Sequence, residues 1–104
     1  MRNVLGIDKA KQTTVQNLCN LAEETPIVKK IIIFGSAASQ TCTPESDIDI
    51  CYDITCDTKD LRTYDLSKKT VRICDYNCDI VFYSLLGSNL KNEIDSKGVI
   101  VYES

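Results

Sequence analysis

Five residues of this chain have types and spacings that suit work on a phosphate: Gly35, Ser36, Asp47, Asp49 and Asp79. Asp47 and Asp49 stand two apart in Asp47-Ile48-Asp49-Ile50-Cys51-Tyr52, where charge and bulk alternate with period two. On a strand such residues share a face, so the two carboxylates lie side by side and repel each other unless a cation sits between them. Paired aspartate oxygens are what Mg²⁺ takes, together with phosphate oxygens and water. The same pair also reads as solvated acids at a turn or strand edge, but Ile48, Ile50 and Tyr52 mark a strand whose other face is buried. Asp79 falls early in the apolar run Cys78-Asp79-Ile80-Val81-Phe82-Tyr83, where an acid has no packing role. Alone it is a solvated strand end. Beside the strand of Asp47 and Asp49 it would complete a carboxylate set for two metal ions, the arrangement used for in-line displacement at phosphorus. Gly35-Ser36 ends an apolar run at the mouth of a short helix, where free N–H groups and the positive end of the helix dipole suit a phosphate. By itself that pair is also an ordinary turn and N-cap.

The composition narrows the chemistry. The chain has 104 residues and no histidine, which excludes Ser/His/Asp and Cys/His nucleophilic machinery and HExxH zinc sites. Carboxylates, thiols, hydroxyls and lysines remain. A net charge of −3 argues against a broad cationic surface for nucleic acid, since such binding neutralises several phosphates at once. The six cysteines, Cys19, Cys42, Cys51, Cys56, Cys74 and Cys78, include no CxxC pair, so structural zinc is disfavoured and small core-filling thiols are expected. No secretory leader is read, and the longest apolar run, Ile31 to Phe34, is far short of the ~18 residues of a membrane span. A cytoplasmic protein with reduced thiols is expected.

The elements that must position these residues follow from periodicity. Val15, Leu18, Cys19 and Ala22 form the apolar stripe of a helix over 9–24, stopped by Pro26. Ile27 to Phe34, rich in β-branched residues and closed by Gly35, reads as a central strand. After a polar loop at 40–46 comes the Asp47–Tyr52 strand. A helix over 58–74 is expected to pack through Leu61, Tyr64 and Val71, a stripe that Leu66 and Ile73 blur, and Cys78–Tyr83 is the third strand. Ser84 is placed to cap a last helix using Leu86, Leu90 and Ile94, with Gly98 as its stop, before a short strand at Val99–Tyr102. Strands alternating with helices in this length give one α/β (α+β) domain over 1–104, a small mixed sheet flanked by helices.

The run FGSAASQTCTPESDIDI, with ten residues between Ser36 and Asp47, resembles the GS-x(10)-D-x-D signature of the polymerase-β-type nucleotidyltransferase superfamily. The likeness is nearest to the minimal nucleotidyltransferases, small domains often encoded beside a helical partner of the HEPN type. It extends over roughly residues 26–104, with Asp79 matching the third carboxylate and LKNEIDSKGVIVYES the usual ending. The resemblance implies that Gly35 and Ser36 hold the nucleotide's β- and γ-phosphates. It implies that Asp47 and Asp49 bridge two Mg²⁺ ions, and that Asp79 ligates the ion beside the attacking hydroxyl. It further implies ATP or another nucleoside triphosphate as substrate, AMP as the group moved, and a HEPN-type protein as acceptor, in an antitoxin-like role. The chain departs from the pattern at Ala37, where a basic residue is usual in that neighbourhood, and at Gln40, where a glycine is usual. These departures motivate a second reading, a non-catalytic antitoxin-like binding subunit with a degenerate site. The partners expected are therefore a nucleoside triphosphate and a HEPN-type protein, with a homo-oligomer also compatible, and no membrane.

Overall fold

The computed structural model describes Ile7, residues 9–35 and residues 47–104. The short helix expected after Gly35, the loop at 40–46 and Ser36 itself lie outside the described residues. Four strands form one sheet: β1 (Val28–Phe34), β2 (Ile48–Ile54), β3 (Cys78–Phe82) and β4 (Val99–Glu103), in the order β3-β2-β1-β4. β1 runs antiparallel to both β2 and β4, whereas β2 and β3 are parallel. The sheet is mixed, as the sequence led us to expect. Parallel neighbours cannot be joined by a tight turn, so the β2–β3 connection carries a helix.

Alternation decides which residues enter which core. On β1 and β2, Ile31, Ile33, Ile48, Ile50 and Tyr52 point into the larger cluster, which also holds Val15, Leu18, Cys19 and Ala22 of helix α1 (Gln12–Glu23). Those four helical positions are the stripe expected from the sequence. Ile32 and Cys51 point the opposite way and meet Ile94 in a smaller cluster. Cys19 donates to the Val101 carbonyl at 3.4 Å, tying α1 to β4. No disulfide joins the described cysteines, and Cys19, Cys51 and Cys74 are buried.

Helix α2 (Leu61–Ile73) corrects the expected packing face. It turns Thr63, Leu66 and Thr70 inward, while Leu61 is 83% and Tyr64 62% exposed. The threonines tolerate burial because their hydroxyls are satisfied locally, Thr63 donating to the Asp57 carbonyl at 3.0 Å and Thr70 to the Leu66 carbonyl at 2.8 Å. With its proton so committed, Thr70 Oγ1 accepts from the buried Tyr52 hydroxyl at 2.6 Å and pins α2 to β2. Asp60 caps α2, its carboxylate accepting from the Arg62 N–H at 2.9 Å and pairing with the Arg62 guanidinium.

The last helix also starts later than expected. Tyr83–Leu85 is a single 3₁₀ turn, and α3 runs Ser88–Lys97 with Gly87 rather than Ser84 at its N-cap. Gly98 does end α3, but in extended backbone, so its role is not left-handed freedom. A Cβ there would meet Ile32 Cγ2 and the Ile94 carbonyl, each at 2.6 Å, so the glycine is needed for close approach of α3 to β1. No helix among the described residues is long and apolar enough to cross a membrane.

Candidate active site

The pairing of β2 with β3 brings two of the singled-out carboxylates together. Asp49 and Asp79 are register partners across the parallel pair, and their side chains hydrogen-bond to each other. Asp47 stands exposed one residue before β2, two positions from Asp49 and on the same side of the chain. Partial burial first, then the negative charges of Asp79 and Asp47, hold the Asp49 carboxyl above its usual range. Such mutual repulsion is what a cation between the oxygens would offset.

Gly35 approaches Asp49 from the neighbouring strand. β1 ends at Phe34, the register partner of Asp49, and Gly35 follows with φ +71°. That backbone is in the left-handed region, and a Cβ would collide with Asp49 Oδ2 and lie 3.2 Å from its Cγ. The turn therefore needs glycine twice over, once for its backbone angle and once to let the main chain lie against the carboxylate. Gly35, Asp49 and Asp79 thus form one contiguous patch at the same end of three adjacent strands. Ser36 falls outside the described residues.

The donor set fits a hard divalent cation. Among the described residues no group of three His, Cys, Asp or Glu side chains makes a ready-made metal cage. An open carboxylate pair is nonetheless the form Mg²⁺ uses when substrate phosphates and water complete its shell.

Two features on the same sheet face escaped the sequence reading. Farther along β2, Asp53 joins Lys30, Tyr83 and Asp95 around a cavity of about 130 Å³. Tyr83 donates to both carboxylate oxygens of Asp95, at 2.9 and 3.0 Å, which pushes its own phenol up and links the 3₁₀ turn to α3. The signal was present in the odd-numbered alternation, which continues from Asp49 through Cys51 to Asp53. The pairing of Tyr83 with Asp95 depends on where α3 docks, and no local spacing encodes that.

A glycine turn set against side-by-side strand carboxylates, on a mixed sheet with a helical crossover, defines a phosphate-transfer class of domain. The chain belongs to the Polymerase beta, Nucleotidyltransferase family, whose model matches residues 16–104. No curated protein matches it. Solved structures share the fold at low identity. One, described as a toxin–antitoxin with AMP-PNP, is 22% identical with TM-score 0.68, covering 88% of this chain and 73% of its own. Another, a tri-AMPylated HEPN toxin from Shewanella oneidensis in complex with an MNT antitoxin, is 20% identical with TM-score 0.67, covering 90% and 73%. A third, the toxin–antitoxin MntA-HepT, is 19% identical with TM-score 0.66, covering 89% and 73%.

Proposed function

We propose that this nucleotidyltransferase moves AMP from ATP onto a hydroxyl of a HEPN-type protein and releases pyrophosphate, in the cytoplasm where ATP is at hand. The observation that carries the reading is the Asp49–Asp79 register pair lying against the Gly35 turn. In the reaction the acceptor oxygen forms a bond to the α-phosphorus as the bond from that phosphorus to the β-bridging oxygen breaks. Asp47, Asp49 and Asp79 would hold two Mg²⁺ ions. Bound there, the metals would supply charge neutralisation on the triphosphate and a lowered hydroxyl pKa. Gly35 leaves the main chain bare beside the carboxylates, and Gly35 with Ser36 would hold the β- and γ-phosphates. Asp49, hydrogen-bonded to Asp79 and set against Gly35, would present its carboxylate to the metals in a fixed position. The choice of a HEPN-type acceptor draws on the solved assemblies that share the fold, in which an MNT antitoxin accompanies a HEPN toxin.

The test is labelled-ATP transfer to the cognate HEPN-type protein with and without Mg²⁺, using wild type and the Asp47→Asn/Asp49→Asn variant. A label on the partner that needs Mg²⁺ and disappears in the variant supports the reading. Equal labelling by both proteins would overturn it. Neutralisation of the partner by the variant as well as by wild type, without label, would assign the chain to the binding-subunit alternative that the missing cation near Ala37 suggests.

A further inference from the structure

α3 lies on the sheet face that carries Asp49 and Asp79, and its two flanks meet different rows of side chains. The rows follow from strand register, because residues directly opposite one another in a sheet share a face. Phe34, Asp49 and Asp79 make one row, at the end where β1 closes. Ile32, Cys51 and Val81 make the next, packed under Ile94 of α3. Lys30 and Asp53 make the last, with Tyr83 just past the end of β3.

The flanks of α3 are told apart by their partners. Ile94 points down at the sheet. At about 100° per residue, Lys91 and Asp95 then fall to one side of it and Leu90, Glu93 and Lys97 to the other. The first side faces the last row, since Asp95 accepts from the Tyr83 hydroxyl at 2.9 Å and Lys91 Nζ lies 4.7 Å from the Tyr83 ring centroid. The second side therefore faces the row of Phe34, Asp49 and Asp79, and Leu90 packs in the same cluster as Phe34.

Lys97 is the last residue of α3 and so stands at the β1 end of that second flank. β4 opens with Val99 opposite Ile33, which sets Lys97, two residues earlier, beside Phe34 and the Gly35 turn. Its side chain is exposed and makes no ion pair among the described residues, Glu93 on the same flank included. The other cations near this face are engaged, Lys91 by the Tyr83 ring and Lys30 by Glu103 at 3.5 Å. A charge of this sign also suits a helix C-terminus, but the dipole accounts for the sign and not for the flank. The sequence shows what the charge is for. Ala37 stands where a basic residue is usual, and no lysine or arginine occurs from residue 36 to residue 46. A triphosphate at the Gly35–Ser36 turn thus receives no cation from its own loop, and it lies beside acids, where fixed positive charge is needed most.

We infer that Lys97 is a nucleotide-binding residue, its ammonium group reaching the β- and γ-phosphates at the Gly35–Ser36 turn in place of the cation missing after that turn. This rests on the nucleotidyl-transfer reading above. Lysine suits the role, as a point charge on a long flexible stem that binds phosphate without fixed geometry. The experiment is calorimetric titration of the full chain, in Mg²⁺, with AMP and with an ATP analogue whose α- and β-phosphorus are bridged by methylene, so that no group is transferred. Wild type, Lys97→Gln, Lys97→Arg and Lys91→Gln are compared. Lys97→Gln should weaken binding of the triphosphate roughly 10-fold or more, the size of a lost charge-assisted bond, and leave AMP binding unchanged. Lys97→Arg should restore most of the loss, and Lys91→Gln, on the opposite flank, should bind as wild type does. A role confined to the helix end would lower the thermal midpoint of Lys97→Gln without separating the two nucleotides, and that result overturns the inference. Equal triphosphate binding by wild type and Lys97→Gln overturns it as well and leaves the transfer reading standing. Absence of triphosphate binding by wild type overturns both.

Discussion

The two faces of β2 are made by alternate residues of one strand and obey opposite rules. Ile48, Ile50 and Tyr52 are sealed between the sheet and helices α1 and α2, with every polar atom accounted for. Asp49 and Asp53, on the other face, are half-buried and set among charges. The first face is held by packing and the second only by what the first imposes on it. Asp49 gains no stabilisation from its place: its raised pKa means that ionising it costs the fold, so the scaffold must supply the difference.

That contrast can be broken by exchanging its terms. Asp49→Asn should lower nucleotidyl transfer by roughly three orders of magnitude, about 4 kcal/mol of transition-state stabilisation. Its thermal midpoint at pH 7 should hold or increase, because a repelled charge has been removed. Ile50→Ala, the next residue along, should do the reverse. It should cost about 3 kcal/mol in urea unfolding by leaving a cavity in the main core, while the folded fraction keeps its transfer activity. Loss of activity per folded molecule in Ile50→Ala would show that the two faces are not separable.

Gly35→Ala probes the seam between the faces. The added methyl meets Asp49 and the left-handed backbone resists it, so we expect about 2 kcal/mol of destabilisation together with weakened nucleotide binding, read by melting and by ATP titration. Tyr52→Phe removes only the hydroxyl that α2 receives at Thr70 and should cost about 1 kcal/mol in chemical denaturation. The smallest effect is at the α2 cap. The Arg62 side chain and N–H hold the Asp60 carboxyl down to about 2, from an ordinary 3.8. The charged cap therefore contributes fully above about pH 4 and is lost as pH falls through about 2. Helix content of Asp60→Asn should trail wild type slightly at neutral pH and converge with it near pH 2.

The legibility of the molecule in its sequence follows the same division. Gly35 and the three aspartates could be singled out because acids and a glycine interrupt apolar strands where packing gives them no role. The α1 stripe could be read because Val15, Leu18, Cys19 and Ala22 are all apolar. α2 misled because its buried face uses Thr63 and Thr70, polar by type but internally satisfied, while Leu61 and Tyr64 lie outside. Hydrophobicity alone favours the wrong stripe when hydroxyls can bond back to their own helix. The α3 start was displaced because Ser84 is a good cap in isolation, yet the chain first spends a 3₁₀ turn placing Tyr83 against Asp95. The Asp49–Asp79 register is a nonlocal fact, set by how the crossover helix docks, and no spacing along the chain could supply it.

That crossover has a kinetic consequence. β1 and β2 pair antiparallel across the stretch 35–47, whereas β2 meets β3 only after the longer stretch 55–77, which holds the whole of α2. Closing the longer excursion costs more chain entropy before any contact rewards it, and the parallel pairing adds less per residue. The β1–β2 pair is thus the earlier-forming, slower-opening centre of the sheet, and the border strands β3 and β4, which pair across longer runs of chain, assemble later and detach first. Asp49 belongs to the central pair and Asp79 to a border strand, so the two carboxylates meet only once the crossover helix has docked.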